Sequence, residues 1–296
     1  MTRRAEARAW LFVLPAATAV AGLVFVPLAV VFWLSLRSVL PVFGVDRFVG
    51  LANLAHLAAD ARFLSSLRTT LYFAGVAVTL EVVLGLGLAL LLHQTFVGRG
   101  LARTAVLLPW ALPTVVAARM WEWIYNPDFG IMNHVLRGAG VVSGNVSWLG
   151  DPFWAVHAAI LADAWKTTPF AALILLAGLA SIPADLSRAA RVDGAGRLAV
   201  FFEVTLPLLR PSLVVTILFR FLDSLRVFDA VYVLTGGGPA NTTETLAVYV
   251  YKTLFQTLRF GYGSALAVAM FLLAATASAL IVGIGGRGAF RRRGAA

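Results

Sequence analysis

Residues Pro183–Pro207 read PADLSRAARVDGAGRLAVFFEVTLP, and this stretch joins two long apolar segments of the chain. Its first part, 184–192, is rich in good helix formers with small side chains, and its opening proline suits the start of a helix. Gly194 and Gly196 then end that helix, and a second short helix is predicted at about 197–203. A short exposed helix of this kind forms a compact knob that can enter a groove on another protein. The alternative is an amphipathic helix that lies on a membrane surface.

Apolar stretches on either side of this link predict membrane spans. Each stretch is near the ~20 residues that a bilayer requires. The six predicted spans cover about 10–36, 69–92, 104–124, 153–179, 204–234 and 262–285. The connecting segments are polar and contain most of the turn-forming residues. The sequence therefore predicts an all-α integral membrane protein with about six transmembrane helices.

Composition supports the same class. The chain is 60% hydrophobic and 13% charged, whereas about a quarter of an average soluble domain is charged. The net charge of +10 would suggest a nucleic-acid partner in a soluble protein, but in a membrane protein the excess of arginine on inner segments explains it without nucleic acid. The chain has no cysteine, which excludes disulfides and thiolate metal sites. We expect no metal site.

Arginine distribution predicts the orientation. With the N-terminus inside, the inner segments are richer in arginine than the outer ones, so both termini are expected on the cytoplasmic side. The strongest signal is the basic tail at 286–296. The chain is then divided into an N-terminal helix with an external loop (1–67), a five-helix core (68–285) that contains an inner loop at 181–207, and that tail.

Charged and polar side chains recur at helical spacing inside three spans. A charge at the bilayer centre costs about 2.5–3.5 kcal/mol on insertion scales, so such residues face a cavity or a partner. Spacings of three and four place them on one face of each helix. The candidate cavity residues are Arg119, Asp163, Lys166, Thr167, Phe170, Arg220, Asp223 and Ser224. Fixed polar groups beside an aromatic surface are the features that bind sugars.

A structural explanation of the same charges stays open. Arg220 with Asp223, and Arg119 with Glu122, are three residues apart and could be ion pairs that hold helices together. Glu81 is alone in the second span and is expected to be a structural partner of a neighbouring arginine.

The link at 183–207 resembles the "EAA" loop of binding-protein-dependent ABC importer permeases. That pattern is Glu-Ala-Ala, three residues, Gly, nine residues, Ile, one residue and Leu-Pro. The matching residues are Arg188, Ala189, Ala190, Gly194, Val204, Leu206 and Pro207. Arginine replaces the leading glutamate, so a salt bridge from that position does not carry over.

The resemblance implies a type I ABC importer permease fold and a set of partners. These are a second homologous permease subunit, two ATPase subunits and an external substrate-binding (lipo)protein, in the cytoplasmic membrane of a bacterium or archaeon. ATP and Mg are expected on the ATPase subunits, with no cofactor in this chain. The loop residues 184–203, including Asp193, are expected to couple to the ATPases.

Other segments resemble the carbohydrate branch of the family, the maltose and trehalose type. They are Trp165–Phe170, Phe219–Asp223 and Val231–Gly237. The resemblance implies a sugar substrate, namely a disaccharide such as trehalose or maltose, bound by the faces at 163–170 and 220–227. A polyol or a glycerol-phosphate-type solute is the alternative. The outer loop Gly236, Gly237, Gly238 and Pro239 is expected to contact the binding protein, because glycine allows close approach of another backbone.

Two other functional classes have weaker support. A secondary transporter commonly has more spans in repeated halves, and no repeat is evident here. An enzyme would need a catalytic set, and the sequence has no phosphate-binding G-x-x-x-x-G-K-[ST] loop, H-E-x-x-H or G-x-S-x-G motif. The chain is therefore expected to be a transport subunit whose ATP hydrolysis is performed by its partners.

Overall fold

The computed structural model describes residues 3–289, which are mostly helical. The helices are α1 (Arg3–Ser35), α2 (Ala52–Leu57), α3 (Ala61–His93), α4 (Arg99–Ala111), α5 (Thr114–Ile124), α6 (Ile131–Gly138), α7 (Pro152–Ala180), α8 (Ala184–Val192), α9 (Arg197–Ala199), α10 (Leu206–Leu225), α11 (Asp229–Thr235), α12 (Leu246–Tyr251) and α13 (Phe260–Ala289). π-Helical turns cover Val200–Thr205 and Lys252–Gln256. Strands β1 (Arg37–Leu40) and β2 (Val45–Phe48) flank a 3₁₀ turn at Pro41–Phe43.

Five helices in the described part of the chain are long and apolar enough to cross a membrane, and α4 with α5 make a sixth span when counted together. The prediction of a multi-pass, six-span membrane protein is confirmed. The predicted third span, 104–124, is broken in the structure, because α4 and α5 are bent by 91° relative to each other. Leu112 at the break has an extended backbone (ψ 139°), the conformation that a following proline imposes.

Two further boundaries differ from the prediction. The fifth span, predicted to reach residue 234, ends at Leu225, and the chain turns before the separate helix α11. The segment 37–68, predicted as a polar loop, contains β1, β2, α2 and the first two turns of α3. Strands of four residues are too short to produce an alternating pattern that distinguishes them from a loop. The predicted basic tail is residues 286–296, and the side chains of these residues lie outside the described part of the structure.

The chain forms two compact units: one contains the residues up to Leu64 and Tyr249–Leu272, and the other contains Ser65–Val248 and the chain from Leu273. In the first unit, β1 and β2 form an antiparallel hairpin with Arg37 opposite Phe48. The side-chain amide of Asn53 donates to the backbone oxygens of Ser35 (2.9 Å) and Arg37 (2.8 Å). These bonds fix α2 against the start of the hairpin.

Asp60 organises the rest of this first unit. Its carboxylate accepts hydrogen bonds from the hydroxyls of Tyr249 (2.7 Å) and Tyr262 and from the backbone N–H groups of Arg62 and Phe63 at the start of α3. Burial raises the pKa of Asp60, but these four donors, Tyr262 foremost, outweigh that effect and hold the pKa below its ordinary value. The charged carboxylate thus caps α3 and joins it to α12 and α13.

The second unit is built around α7, which packs against α4, α5, α10 and α11. One apolar cluster includes Phe73, Trp121, Tyr125, Trp148 and Ile160, and the hydroxyl of Tyr125 donates to the backbone oxygen of Ala158 (3.0 Å). A second cluster joins the other ends of α3, α7 and α10 through Leu92, Leu175 and Leu209. The small residues of α7 let its neighbours approach closely, as in other membrane helix packings.

At Gly178, α7 approaches α10 closely. A Cβ atom at this position would lie 2.3 Å from Ser212 Oγ, 2.6 Å from Ser212 Cβ and 2.8 Å from Leu209 Cδ1. These distances are too short for the helices to keep their separation. We expect Gly178→Ala to lower the stability of the purified protein by about 1–3 kcal/mol through overpacking, measured as a fall in melting temperature.

Gly87→Ala is the matched control. Gly87 also lies inside a spanning helix, but a Cβ atom there meets nothing within 4 Å. Alanine is the better helix former, so this variant should melt at or above the wild-type temperature. Equal melting temperatures for the two variants would contradict the close packing of α7 on α10.

Candidate translocation cavity

A cavity of about 270 Å³ lies where the break between α4 and α5 meets α7 and α10. Trp110 and Thr114 line it from the two sides of the break, and Phe228 lines it from the turn after α10. Asp163, Lys166 and Thr167 of α7 and Arg220, Asp223 and Arg226 of the α10 segment complete its polar wall. The cavity therefore combines charged and hydroxyl side chains with aromatic rings.

An ion network centred on Arg220 forms part of this wall and extends behind it to Glu81. Its Nε donates to Glu81 Oε2 (2.6 Å) and its Nη2 donates to Glu81 Oε1 (3.1 Å), while its Nη1 donates to Asp223 Oδ2 (2.7 Å). Thr167 Oγ1 also donates to Glu81 Oε1 (2.8 Å). Glu81 is fully buried and Arg220 is 3% exposed. The network joins α3, α7 and α10. The sequence predicts that Glu81 is the structural partner of a neighbouring arginine, and in the structure that arginine is Arg220.

The remaining charges of the cavity are less fully paired. Asp163 is buried, its Oδ2 has no hydrogen-bond partner, and its nearest cation is Arg220 Nη2 at 3.9 Å. The side chain of Asp223 is 48% exposed and also accepts from Arg226 Nη2 (3.4 Å). Lys166 forms no ion pair or hydrogen bond with a side chain in the part of the chain that the structure describes. These three residues are therefore among the groups that a solute in the cavity can reach, together with Thr114, Arg226 and Asp229.

The structure brings five of the eight predicted cavity residues together, namely Asp163, Lys166, Thr167, Arg220 and Asp223. The other three do not line the cavity. Phe170 stacks on Trp110 (ring centroids 5.8 Å apart) and supports that ring from behind. Ser224 is buried and 1% exposed. Arg119 has an exposed side chain and pairs with Glu122 (2.5 Å), because its position on α5 lies beyond the bend.

Sequence reasoning missed Trp110, Thr114 and Phe228. The signal for the first two was Pro113, since a proline disfavours a helical conformation in the residue before it. Phe228 lies in the turn after α10. No sequence pattern indicated that this helix ends at Leu225.

The link between α7 and α10 has the form that the sequence predicts. Ala189 and Ala190 lie on α8, Asp193 is its C-terminal cap, and Leu206 and Pro207 begin α10. Gly194 has φ +90°, a conformation that other residues rarely adopt. Arg188 pairs with Asp185 of the same helix (2.8 Å). Large apolar side chains are nevertheless exposed along the link at Leu186, Val192, Leu198 and Phe202.

The glycine-rich loop after α11 also needs its glycines. Gly236 and Gly237 have φ of +60° and +90°. Thr235 Oγ1 lies 2.6 Å from Thr243 Oγ1, and Thr243 Oγ1 donates to the backbone oxygen of Gly238 (2.7 Å). Gly236, Gly237, Gly238 and Pro239 thus form a loop that is held in shape by threonine hydroxyls.

Removal of the Glu81 charge tests the network. Glu81→Gln keeps the side-chain shape but leaves the buried Arg220 without its principal counter-charge. Breaking a buried ion pair costs about 3–5 kcal/mol, so we expect a clear fall in melting temperature. The control is Glu122→Gln, which breaks the exposed pair with Arg119 and should cost less than about 1 kcal/mol. Similar melting temperatures for both variants would show that Glu81 does not stabilise the spans.

Comparison with known proteins gives a consistent result. A family model described as "Binding-protein-dependent transport system inner membrane component" matches residues 81–287. The trehalose/maltose transport system permease protein MalF of Thermococcus litoralis is 42% identical over 264 residues, 89% of this chain and 88% of that protein. The trehalose transport system permease protein SugA of Mycobacterium tuberculosis is 41% identical over 273 residues, 91% of this chain and 86% of that protein.

A solved structure shows the same fold. It is the crystal structure of a bacterial alginate ABC transporter in complex with an alginate pentasaccharide-bound periplasmic protein, and one of its chains matches with a TM-score of 0.81 and 22% identity over 97% of this chain and 96% of that chain. The chain belongs to the family of inner membrane components of binding-protein-dependent transport systems.

Proposed function

We propose that this chain is one permease subunit of an ATP-driven sugar importer and forms half of the translocation path. The observation that supports the proposal most directly is the cavity where α7, α10 and the broken span meet. Carboxylates, Lys166 and Thr114 supply acceptors and donors for sugar hydroxyls, and Trp110 and Phe228 offer apolar faces for the C–H surface of the ring. The named relatives carry trehalose or maltose, so a disaccharide is the proposed solute.

The proposed partners are a second homologous permease, two ATPase subunits and an external binding protein. The exposed apolar side chains of the 184–203 link support docking to an ATPase, because such residues on a short helix fit a groove on another protein. ATP and Mg would then be held by the ATPase subunits. The loop at 236–239 is the proposed contact for the binding protein. Both termini would lie on the cytoplasmic side.

Uptake by the assembled importer tests the substrate. Proteoliposomes that contain the complex and its binding protein should accumulate labelled trehalose or maltose when ATP is enclosed. Accumulation of glycerol 3-phosphate or a simple polyol in place of the disaccharide would support the alternative solute. Uptake from a proton gradient without ATP would indicate a secondary transporter and contradict the proposal.

Lys166 is the sharpest probe of sugar binding, because it lines the cavity and its loss breaks no side-chain pair in the described structure. A hydrogen bond to a charged group contributes about 1.5–3 kcal/mol, so Lys166→Gln should raise the KM for uptake about tenfold or more. The melting temperature and the basal ATPase activity should stay at wild-type values.

Arg119→Gln is the control for that variant, because Arg119 is an exposed cation of a neighbouring span that does not line the cavity. Its uptake kinetics should match those of the wild type. An unchanged KM in Lys166→Gln, or an equal rise in Arg119→Gln, would place the sugar elsewhere.

Gly194 tests the coupling role of the link. Gly194→Asp introduces a side chain and a charge where α8 is proposed to enter the ATPase groove, and a Cβ at this position meets nothing within this chain. We expect loss of sugar-stimulated ATP hydrolysis with normal membrane insertion. Gly98→Asp is the matched control, because Gly98 also has a positive φ (+85°) and open space around it but lies in the loop before α4. Equal stimulation of both variants would contradict coupling through this link.

A further inference from the structure

A second cavity, of about 370 Å³, lies between the third turn of α3 and the first turns of α7. We call it the end groove and define it by Arg68, Thr69, Tyr72, Phe153, Val156 and His157. It is separate from the candidate translocation cavity and shares no residue with it. Nothing in the proposed transport cycle uses it.

The depth of the end groove follows from the lengths of its helices. α3 has 33 residues and is about 50 Å long, whereas the hydrocarbon core of a bilayer is about 30 Å thick. The apolar run of α3 begins at Leu71, one turn after Arg68, and the apolar run of α7 begins at Phe153. The groove therefore spans the level at which lipid headgroups meet acyl chains, with Arg68 on the polar side.

The wall of the groove is held in place by His157. Its Nδ1 lies 2.7 Å from the backbone oxygen of Phe153, and its Nε2 lies 2.8 Å from the hydroxyl of Tyr72. A carbonyl oxygen can only accept, so Nδ1 carries the proton. In the neutral ring, Nε2 then accepts from the Tyr72 hydroxyl. The rings of Tyr72 (48% exposed) and Phe153 (61% exposed) present open apolar surface.

Arg68 is the charge of the groove. The arginines at 37, 119, 188 and 220 each pair with a carboxylate. Arg68 forms no such pair in the part of the chain that the structure describes, and no acidic residue lines the groove. An unneutralised guanidinium beside an apolar wall at this depth is complementary to an amphiphile with an anionic head.

We propose that the end groove binds an anionic phospholipid. The lipid phosphate accepts hydrogen bonds from the guanidinium of Arg68, and one acyl chain lies along Tyr72, Phe153 and Val156. A bound lipid would fill the space between α3 and α7 at the end of the spans where α7 begins.

Native mass spectrometry of the assembled importer tests the site. The delipidated complex would be titrated with phosphatidylglycerol and with phosphatidylcholine of the same acyl chains. We expect tighter binding of phosphatidylglycerol, and about tenfold weaker binding of it by Arg68→Gln, because a charge-assisted hydrogen bond is lost. Phosphatidylcholine binding should fall less, because its choline cation already offsets the charge of its phosphate. Phe153→Ala should weaken the binding of both lipids, since it removes part of the acyl-chain wall.

Arg137→Gln is the control, because Arg137 is another exposed arginine of the same unit and does not line the groove. It should bind both lipids like the wild type. Equal affinity for the two lipids, or wild-type phosphatidylglycerol binding by Arg68→Gln, would overturn the proposal. So would displacement of the lipid by inorganic phosphate, which indicates a simple anion site. A photoreactive phenylalanine analogue at position 69 that cross-links to a protein instead of a lipid would assign the groove to a polypeptide partner.

Discussion

Arg220 places a permanent positive charge among apolar helices, and Glu81 supplies the counter-charge that lets it stay there. Two donated hydrogen bonds from one guanidinium to one carboxylate fix both the distance and the rotation of α10 relative to α3. Thr167 adds α7 to the same carboxylate. The positions of three spans, and hence the shape of the cavity between them, depend on this one pair.

The pair of Arg220 and Glu81 also divides the polar residues of the cavity into two groups. Arg220 and Thr167 use their donors on Glu81, so their first role is to hold the helices. Asp163, Lys166 and Asp223 keep atoms that face the cavity without a full set of partners. The structure thus shows the ion pairs that were one of the two alternatives left open by the sequence. The proposed solute ligands are neighbours of these paired residues on the same helical faces.

Local patterns were enough to predict three features. Apolar runs of about 20 residues predicted the fold class, the glycines and the EAA-like pattern predicted the link at 183–207, and a spacing of three or four residues predicted the two polar faces. The sequence could not predict which cation pairs with Glu81, since the partner lies 139 residues along the chain. The third span shows a different limit. Its hydropathy is high on both sides of Leu112, and a window average conceals a bend that only Pro113 signals. Trp110 and Thr114 were missed for that reason.

The helix α10 connects the two regions to which function is assigned. It runs without interruption from Leu206, at the end of the 184–203 link, to Leu225, beyond Arg220 and Asp223, a length of about 30 Å. The turn before it, Val200–Thr205, is π-helical, a form that is less regular and often found at functional positions. A displacement of the link would therefore be transmitted along a stiff helix to the Arg220 network. Because the cavity wall is built on that network, the proposed docking at one end of α10 and the proposed solute access at the other would be mechanically coupled.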